Sequence, residues 1–234
     1  DTLKILEEKY TSNSRVRWVS QENKGIGAAS NRAVRLCKGQ LIGQLDSDDR
    51  LKPDAVEKLL PYFDNHQVGC VYGCYEVIDE ESKFKRNGWN YKNFSRERLM
   101  CGMIVHHFRM FRKRDWRRAF GFDTNLTNAV DFDFFLKLSE VCDFEHVDDV
   151  LYEYRLHGNN TSVVNMNEQD TNTLTVINSA LTRLGINRLW EPFVPNPEKP
   201  RSITFSPAGS FGGWSISKTL FDFINEILEP GSRI

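Results

Sequence analysis

Between Arg15 and Phe63 the chain alternates β-prone runs with helix-length amphipathic ones: "RVRWVS", "GIGAASNRAVRLCKG", "LIGQL" and "KPDAVEKLLPYF". A charged amphipathic helix is also predicted over residues 2–10. Strands separated by helices are βαβ units, which place strands side by side in parallel with helices laid over the sheet. The expected class is therefore α/β, with a Rossmann-like, mostly parallel mixed sheet flanked by helices. Pro53 suits the opening turn of its helix, where a missing N–H costs nothing. With 234 residues, 40% of them hydrophobic, the chain can bury a full core.

The run "LIGQL" leads straight into Asp46, Asp48 and Asp49. Three carboxylates within four positions repel one another unless solvent or a cation separates them, and hard divalent ions prefer such oxygen ligands. The cluster follows a strand, at the end where open α/β sheets bind ligands. Taken alone, Asp-Ser-Asp-Asp before a proline-opened helix is equally a good turn and N-cap.

The second half is less regular. Strand-like "CVYGCYEVI" and "VLYEYRL" flank a polar stretch over 79–95, an apolar run "GMIVHHFRMF" and a helix "AVDFDFFLKLSEV". His106 and His107 are adjacent in that apolar run, so a strand there would send one to each side of the sheet. Asp131 and Asp133 fall on different faces of their helix. His157 lies in the polar stretch "RLHGNNTS", and a neutral imidazole is a frequent transition-metal ligand. The basic run "FRMFRKRDWRR", from Phe108 to Arg118, reads either as a solvated face or as a surface for carboxylates and sugars. Trp89 and Tyr91 suit either packing or stacking on a sugar. "NKGIGAASN" is glycine-rich and opens a helix, but matches neither a P-loop nor the GxGxxG pattern.

Charge narrows the partners. With 31 basic against 32 acidic residues no global field favours nucleic acid or an anionic membrane. Five cysteines without a CxxC pair argue against a zinc site or disulfide framework and for a reducing compartment. No apolar run approaches the roughly 18 residues of a membrane span, so a cytoplasmic location is expected. "WEPFVPNPEKPRS" has the proline content of a linker.

Taken together, "QENKGIGAASNRAVRLCKGQLIGQLDSDDRLKPDAV" resembles the nucleotide-sugar half of family 2 glycosyltransferases with the GT-A fold. "GMIVHHFRMF", "NAVDFDFFLKLSEV" and "YRLHGNNTS" look like the second transferase module of bacterial glycosaminoglycan polymerases of the Pasteurella hyaluronan and chondroitin synthase type. The resemblance implies inverting transfer from a UDP-sugar to an oligosaccharide or polysaccharide acceptor, assisted by Mn2+ or Mg2+. In that type the donor sugar is glucuronic acid and the acceptor end an N-acetylhexosamine, in capsule synthesis. Carried onto this sequence, Asp46 binds the ribose side of UDP, Asp48 holds the metal, and His157 reaches the metal or the diphosphate. Lys24 and Asn31 face the nucleotide, and Asp131 is the general base. His106, His107, Trp89, Asp133 and Arg109 are the acceptor-side candidates.

The resemblance sets a transferase domain over 1–187, with a nucleotide-sugar half over about 1–78 and an acceptor half over about 79–187. It leaves 188–234 as a proline-rich linker and helix leading to a further domain of the same parent chain. It also implies that the fold's first strands precede residue 1, and leaves room for peripheral association with the inner face of the membrane. Two other readings stay open: another UDP-sugar donor, in O-antigen or exopolysaccharide assembly, and a non-catalytic glycan-binding module.

Overall fold

The structure is a computed structural model describing residues 2–158, 166–195 and 203–207. Helix α1 (Thr2–Tyr10) and α2 (Gly25–Leu36) precede strands β1 (Leu41–Gln44) and β2 (Arg50–Leu51). Helix α3 (Ala55–Leu59) runs into a 3-10 turn (Leu60–Asp64), followed by β3 (Val68–Ile78), β4 (Phe84–Asn87), α4 (Arg96–Cys101), β5 (Arg109–Arg112) and α5 (Lys113–Arg118). Helix α6 (Val130–Ser139), β6 (Asp143–Arg155), α7 (Met166–Arg183), β7 (Trp190–Phe193) and β8 (Thr204–Pro207) complete the order.

One six-stranded sheet follows the path β1-β5-β3-β6-β2, with β4 paired to β3. The α/β class and the mixed sheet are as expected. The balance of directions is not: β3 and β6 pair in parallel, and the other pairs among the described residues are antiparallel. Strand β3 is buried along most of its length because both its faces are covered, which is why it reads as a continuous apolar run. On one face Cys70, Tyr72 and Phe111 pack with α2, α6 and α7; on the other Val71, Met110 and Leu151 pack with α3.

Strands β1 and β2 stand at opposite ends of the path, although only residues 45–49 separate them. Four strand spacings in a flat sheet come to roughly 19 Å, close to the full reach of so short a segment. This segment also contains a turn, with the Asp49 N–H donating to the Asp46 carbonyl at 3.3 Å. The sheet is therefore curled, and residues 45–49 lie over the strand ends that the curl gathers.

Two expected strands differ. Residues 15–20 are not a strand, and Trp18 and Val19 are exposed; a strand needs a partner, and β1 is bonded on its β5 edge alone among the described residues. The run 102–111 is strand only from Arg109, so His106 and His107 precede β5 rather than alternating along it. Packing also continues past residue 187: Trp190 and Phe205 of the β7–β8 pair, with Ile203 just before β8, are buried in the same core as α6 and α7. The helix expected in 210–234 lies outside the described residues. No helix among the described residues is long and apolar enough to cross a membrane.

Candidate active site

The Asp46–Asp49 turn is gripped by β6. The Tyr152 hydroxyl accepts from the Asp46 N–H at 3.2 Å and donates to Asp49 Oδ2 at 2.7 Å, so one buried phenol ties both ends of the turn. Three residues further on, the Arg155 N–H donates to Asp49 Oδ1 at 2.7 Å and its Nε donates to the Asp48 carbonyl at 2.8 Å. Asp49 is thus a structural anchor. Asp46 and Asp48 keep carboxylates partly open to solvent.

Electrostatics follows from this crowding. Burial pushes the Asp46 carboxyl above its ordinary range, against the pull of Arg109 and with the help of Asp131 and Asp48. Burial likewise raises Asp49, opposed by its bonds from Arg155 and Tyr152 and reinforced by Asp48 and Asp46. The turn therefore favours charge compensation, by protons or by a cation.

His157 Nε2 comes to 3.0 Å from Asp48 Oδ2, with both side chains partly exposed. Among the described residues no group of three or more His, Cys, Asp or Glu is arranged to hold a metal. A carboxylate–imidazole pair can still serve the implied ion: Mg2+-like ions use one or two carboxylates and take their other ligands from phosphate and water, and a neutral imidazole is a common metal ligand. The donor set at Asp48 and His157 fits a divalent ion shared with a diphosphate.

Asp131 lies in the first turn of α6, where the helix N-terminus favours negative charge. Its Oδ1 accepts the Phe132 N–H at 2.9 Å and its Oδ2 accepts from Arg109 at 3.2 Å. Its side chain remains 41% exposed, so the carboxylate is both oriented and reachable. Arg109 bonds both Gln44, at the end of β1, and Asp131, which places the α6 start beside the β1 end.

Two histidines just before β5 lie near the same strand ends. His107 stacks on Tyr152, ring centroids 4.9 Å apart, with its Nε2 3.4 Å from Asp46 Oδ2. His106 lies against Tyr75 and Tyr91, at centroid distances of 5.1 and 6.4 Å. Burial and the nearby Arg109 charge push His106 down to about 4 and hold His107 well below its usual range, so both are neutral near pH 7. The loop carrying Trp89 and Tyr91 is buttoned to β3: the Asn90 amide bonds both the N–H and the carbonyl of Tyr75, each at 3.0 Å. Trp89 projects from this loop, 67% exposed.

Three residues expected at ligand surfaces, Asn31, Asp133 and Arg109, are placed otherwise, and Lys24 stays exposed at the start of α2. Asn31 does not face a nucleotide: it is buried, and its amide is spent on Phe122, donating to the carbonyl at 2.8 Å and accepting the N–H at 2.9 Å. Lys24 points to solvent beside Glu22, at 3.3 Å. Asp133 is buried against Lys137 at 2.7 Å and Arg183 at 3.9 Å, away from Asp131 because two helical positions separate them by roughly 200°. Arg109 is 2% exposed and reaches Asp131 rather than a bound molecule. The rest of the basic run lies toward the other end of β5, where Lys113 donates to the Arg35 and Cys37 carbonyls at the end of α2 and Arg118 pairs with Asp115. The glycine-rich segment is a packing device, since a Cβ on Gly27 would stand 2.2 Å from the Asp123 carbonyl oxygen.

Sequence reasoning missed Tyr152, Arg155 and Gln44. For the first two the signal was present in "YEYRLH": polar and aromatic residues closing a strand just before His157 belong to the same strand end as His157 itself.

Residues 1–125 match Glycosyl transferase family 2. The chain is 51% identical over 206 residues to the chondroitin synthase of Escherichia coli, covering 88% of this chain and 30% of that protein. It is 42% identical over 212 residues to the chondroitin synthase of Pasteurella multocida (strain Pm70), covering 90% and 22%. Against the Pasteurella multocida hyaluronan synthase the identity is 46% over 187 residues, covering 80% and 19%. The chain therefore spans less than a third of the length of these relatives. Among solved structures, S. aureus TarS 1–349 aligns with a TM-score of 0.58 at 16% identity, over 80% of this chain and 57% of that one. The same protein in complex with UDP-GlcNAc aligns with a TM-score of 0.58 at 14% identity, over 80% and 58%. At such identity the likeness speaks for the fold, which is that of the GT-A glycosyltransferases. With the family match covering more than half of the 234 residues, the chain belongs to glycosyl transferase family 2.

Proposed function

We propose that the chain is a transferase module that moves glucuronic acid from UDP-glucuronic acid to the N-acetylhexosamine end of a growing polysaccharide, inverting the anomeric centre. One observation supports the reading most: a half-open carboxylate–imidazole pair, Asp48 and His157, shares the strand ends with an oriented, reachable Asp131. A binding module has no need of both. The names of the relatives, chondroitin and hyaluronan synthases, point to polymers that alternate glucuronic acid with an N-acetylhexosamine. The same likeness supports capsule-type polysaccharide synthesis at the cytoplasmic face of a membrane, within a longer parent protein.

In this reading Asp46 takes the ribose side of UDP, and Asp48 and His157 would hold Mn2+ or Mg2+. Such an ion, when bound, stabilises the negative charge that develops on departing UDP. Asp131 accepts the proton of the acceptor hydroxyl as its oxygen attacks the anomeric carbon from the face opposite UDP. The carbon–oxygen bond to UDP breaks, and the configuration inverts. Trp89 and Tyr91 offer ring faces to the acceptor sugars, and neutral His106 lies behind them.

The test is a panel of UDP-sugars offered with an oligosaccharide ending in N-acetylhexosamine. Consumption of UDP-glucuronic acid alone, with extension by one residue, is expected. Preference for another UDP-sugar, or no consumption of any by the full-length protein, would overturn the assignment.

A further inference from the structure

Arg109 carries a charge that the fold has buried almost completely. It is 2% exposed, on β5 between Gln44 of β1 and Tyr72 of β3. Burying a guanidinium has a desolvation cost that only good partners offset. Its three nitrogens each donate to a different part of the fold: Nε to Gln44 Oε1 at the end of β1 at 3.3 Å, Nη1 to the Val105 carbonyl at 2.9 Å, and Nη2 to Asp131 Oδ2 at 3.2 Å. The guanidinium lies over the Phe135 ring of α6, 4.6 Å from its centroid, which fixes its plane.

These contacts converge on one carboxylate. The Phe132 N–H holds Asp131 Oδ1 and Arg109 holds Oδ2, so the remaining lone pairs have a set direction. Through Gln44 the same side chain is joined to the end of β1, the strand that leads into the turn carrying Asp46 and Asp48. A lysine keeps the charge but lacks the planar fork that bridges three partners.

We propose that Arg109 is a positioning residue that sets the Asp131 carboxylate relative to the end of β1, and so aligns the base with the bound donor. The proposal rests on Asp131 being the base. It separates Arg109 from the acceptor surface: its effect passes through Asp131, and it touches no substrate.

A double-mutant comparison in the full-length protein tests this. Arg109→Lys is expected to lower kcat roughly 10- to 100-fold, as a misplaced reacting group does, with UDP affinity within about threefold of wild type. In an Asp131→Asn background the same change should cost less than about threefold, because residues that act as a unit are not additive. Equal fractional losses in both backgrounds, or a loss expressed in UDP affinity, would overturn the proposal and leave Asp131 as the base. Near-normal turnover of Asp131→Asn itself would remove the base reading, and the proposal with it. Should Arg109→Lys fail to fold, Gln44→Met carries the comparison, with an expected loss of roughly 3- to 10-fold in the wild-type background alone; wild-type turnover in that variant would count against the proposal.

Discussion

Asp131 and Asp133 stand two positions apart in one helix and have opposite surroundings, the first 41% exposed beside the strand ends and the second buried on Lys137. Asp131→Asn keeps the shape but cannot take the acceptor proton, so turnover should fall by about 100-fold or more while UDP affinity changes little. Asp133→Asn should instead weaken the fold, by roughly 1–3 kcal/mol, because Lys137 loses its partner in the interior. Steady-state kinetics on both variants and urea unfolding on the second separate the roles. The pH response of stability has a definite sign at His106. Its folded-state pKa of about 4 lies below the ordinary 6.5, so the unfolded chain binds the proton first, and stability falls as pH drops from about 6.5 toward 4. Asp46 and Asp49, raised in the fold, oppose this at the acid end. Replacing His106 with Gln should lessen the loss between pH 6.5 and 4, the remainder coming from His107 and His146, which are shifted the same way, as thermal unfolding across that range would show. The different faces of Asp131 and Asp133 were legible from helical period alone. That Arg109 is buried was not, because a basic run looks alike whether its members face water or a carboxylate.

Among elements, the turn after β1 depends on the end of β6. Tyr152→Phe leaves the Asp46 N–H and Asp49 Oδ2 without the hydroxyl they share, so stability should drop by roughly 1–2 kcal/mol. Divalent-dependent UDP binding should weaken several-fold, measured by titration beside the unfolding curve; unchanged binding would mean that the turn holds its form without the phenol. Gly27→Ala forces α2 away from the Asp123 carbonyl and should lower stability by roughly 1–3 kcal/mol, visible as a lower thermal midpoint with the secondary-structure signal intact. Helices α2 and α6 could be read from the sequence because each carries its own periodicity, β3 because its run is continuously apolar, and of β6 only the closing part from Val150. Residues 15–20 and 102–108 could not, since whether a β-prone run becomes a strand depends on a neighbour that local pattern does not reveal. Tyr152 escaped notice for the same reason: its partners stand more than a hundred positions away.

At the scale of the whole molecule, the proline-rich composition near residue 190 suggested a linker, yet Trp190, Ile203 and Phe205 are buried with α6 and α7. Composition reports how a segment would behave alone, and three apolar anchors were enough to dock this one. Ending the chain at 187 removes three buried side chains, each worth roughly 1.5–3 kcal/mol, and should lower the thermal midpoint by roughly 10 °C or more; an unchanged midpoint would show that the β7–β8 pair contributes nothing. The curl of the sheet gathers the carboxylate turn, His157 and Asp131 at one set of strand ends, and the claim that this is a divalent-dependent UDP-sugar site is the centre of the functional reading. Titration calorimetry of UDP into the full-length protein, with Mn2+ and with excess chelator, tests it most directly, using wild type and Asp48→Asn. Binding that needs Mn2+ in the wild type and is lost in Asp48→Asn is the predicted result; equal affinity in chelator, or undiminished Mn2+-dependent binding by Asp48→Asn, would contradict it.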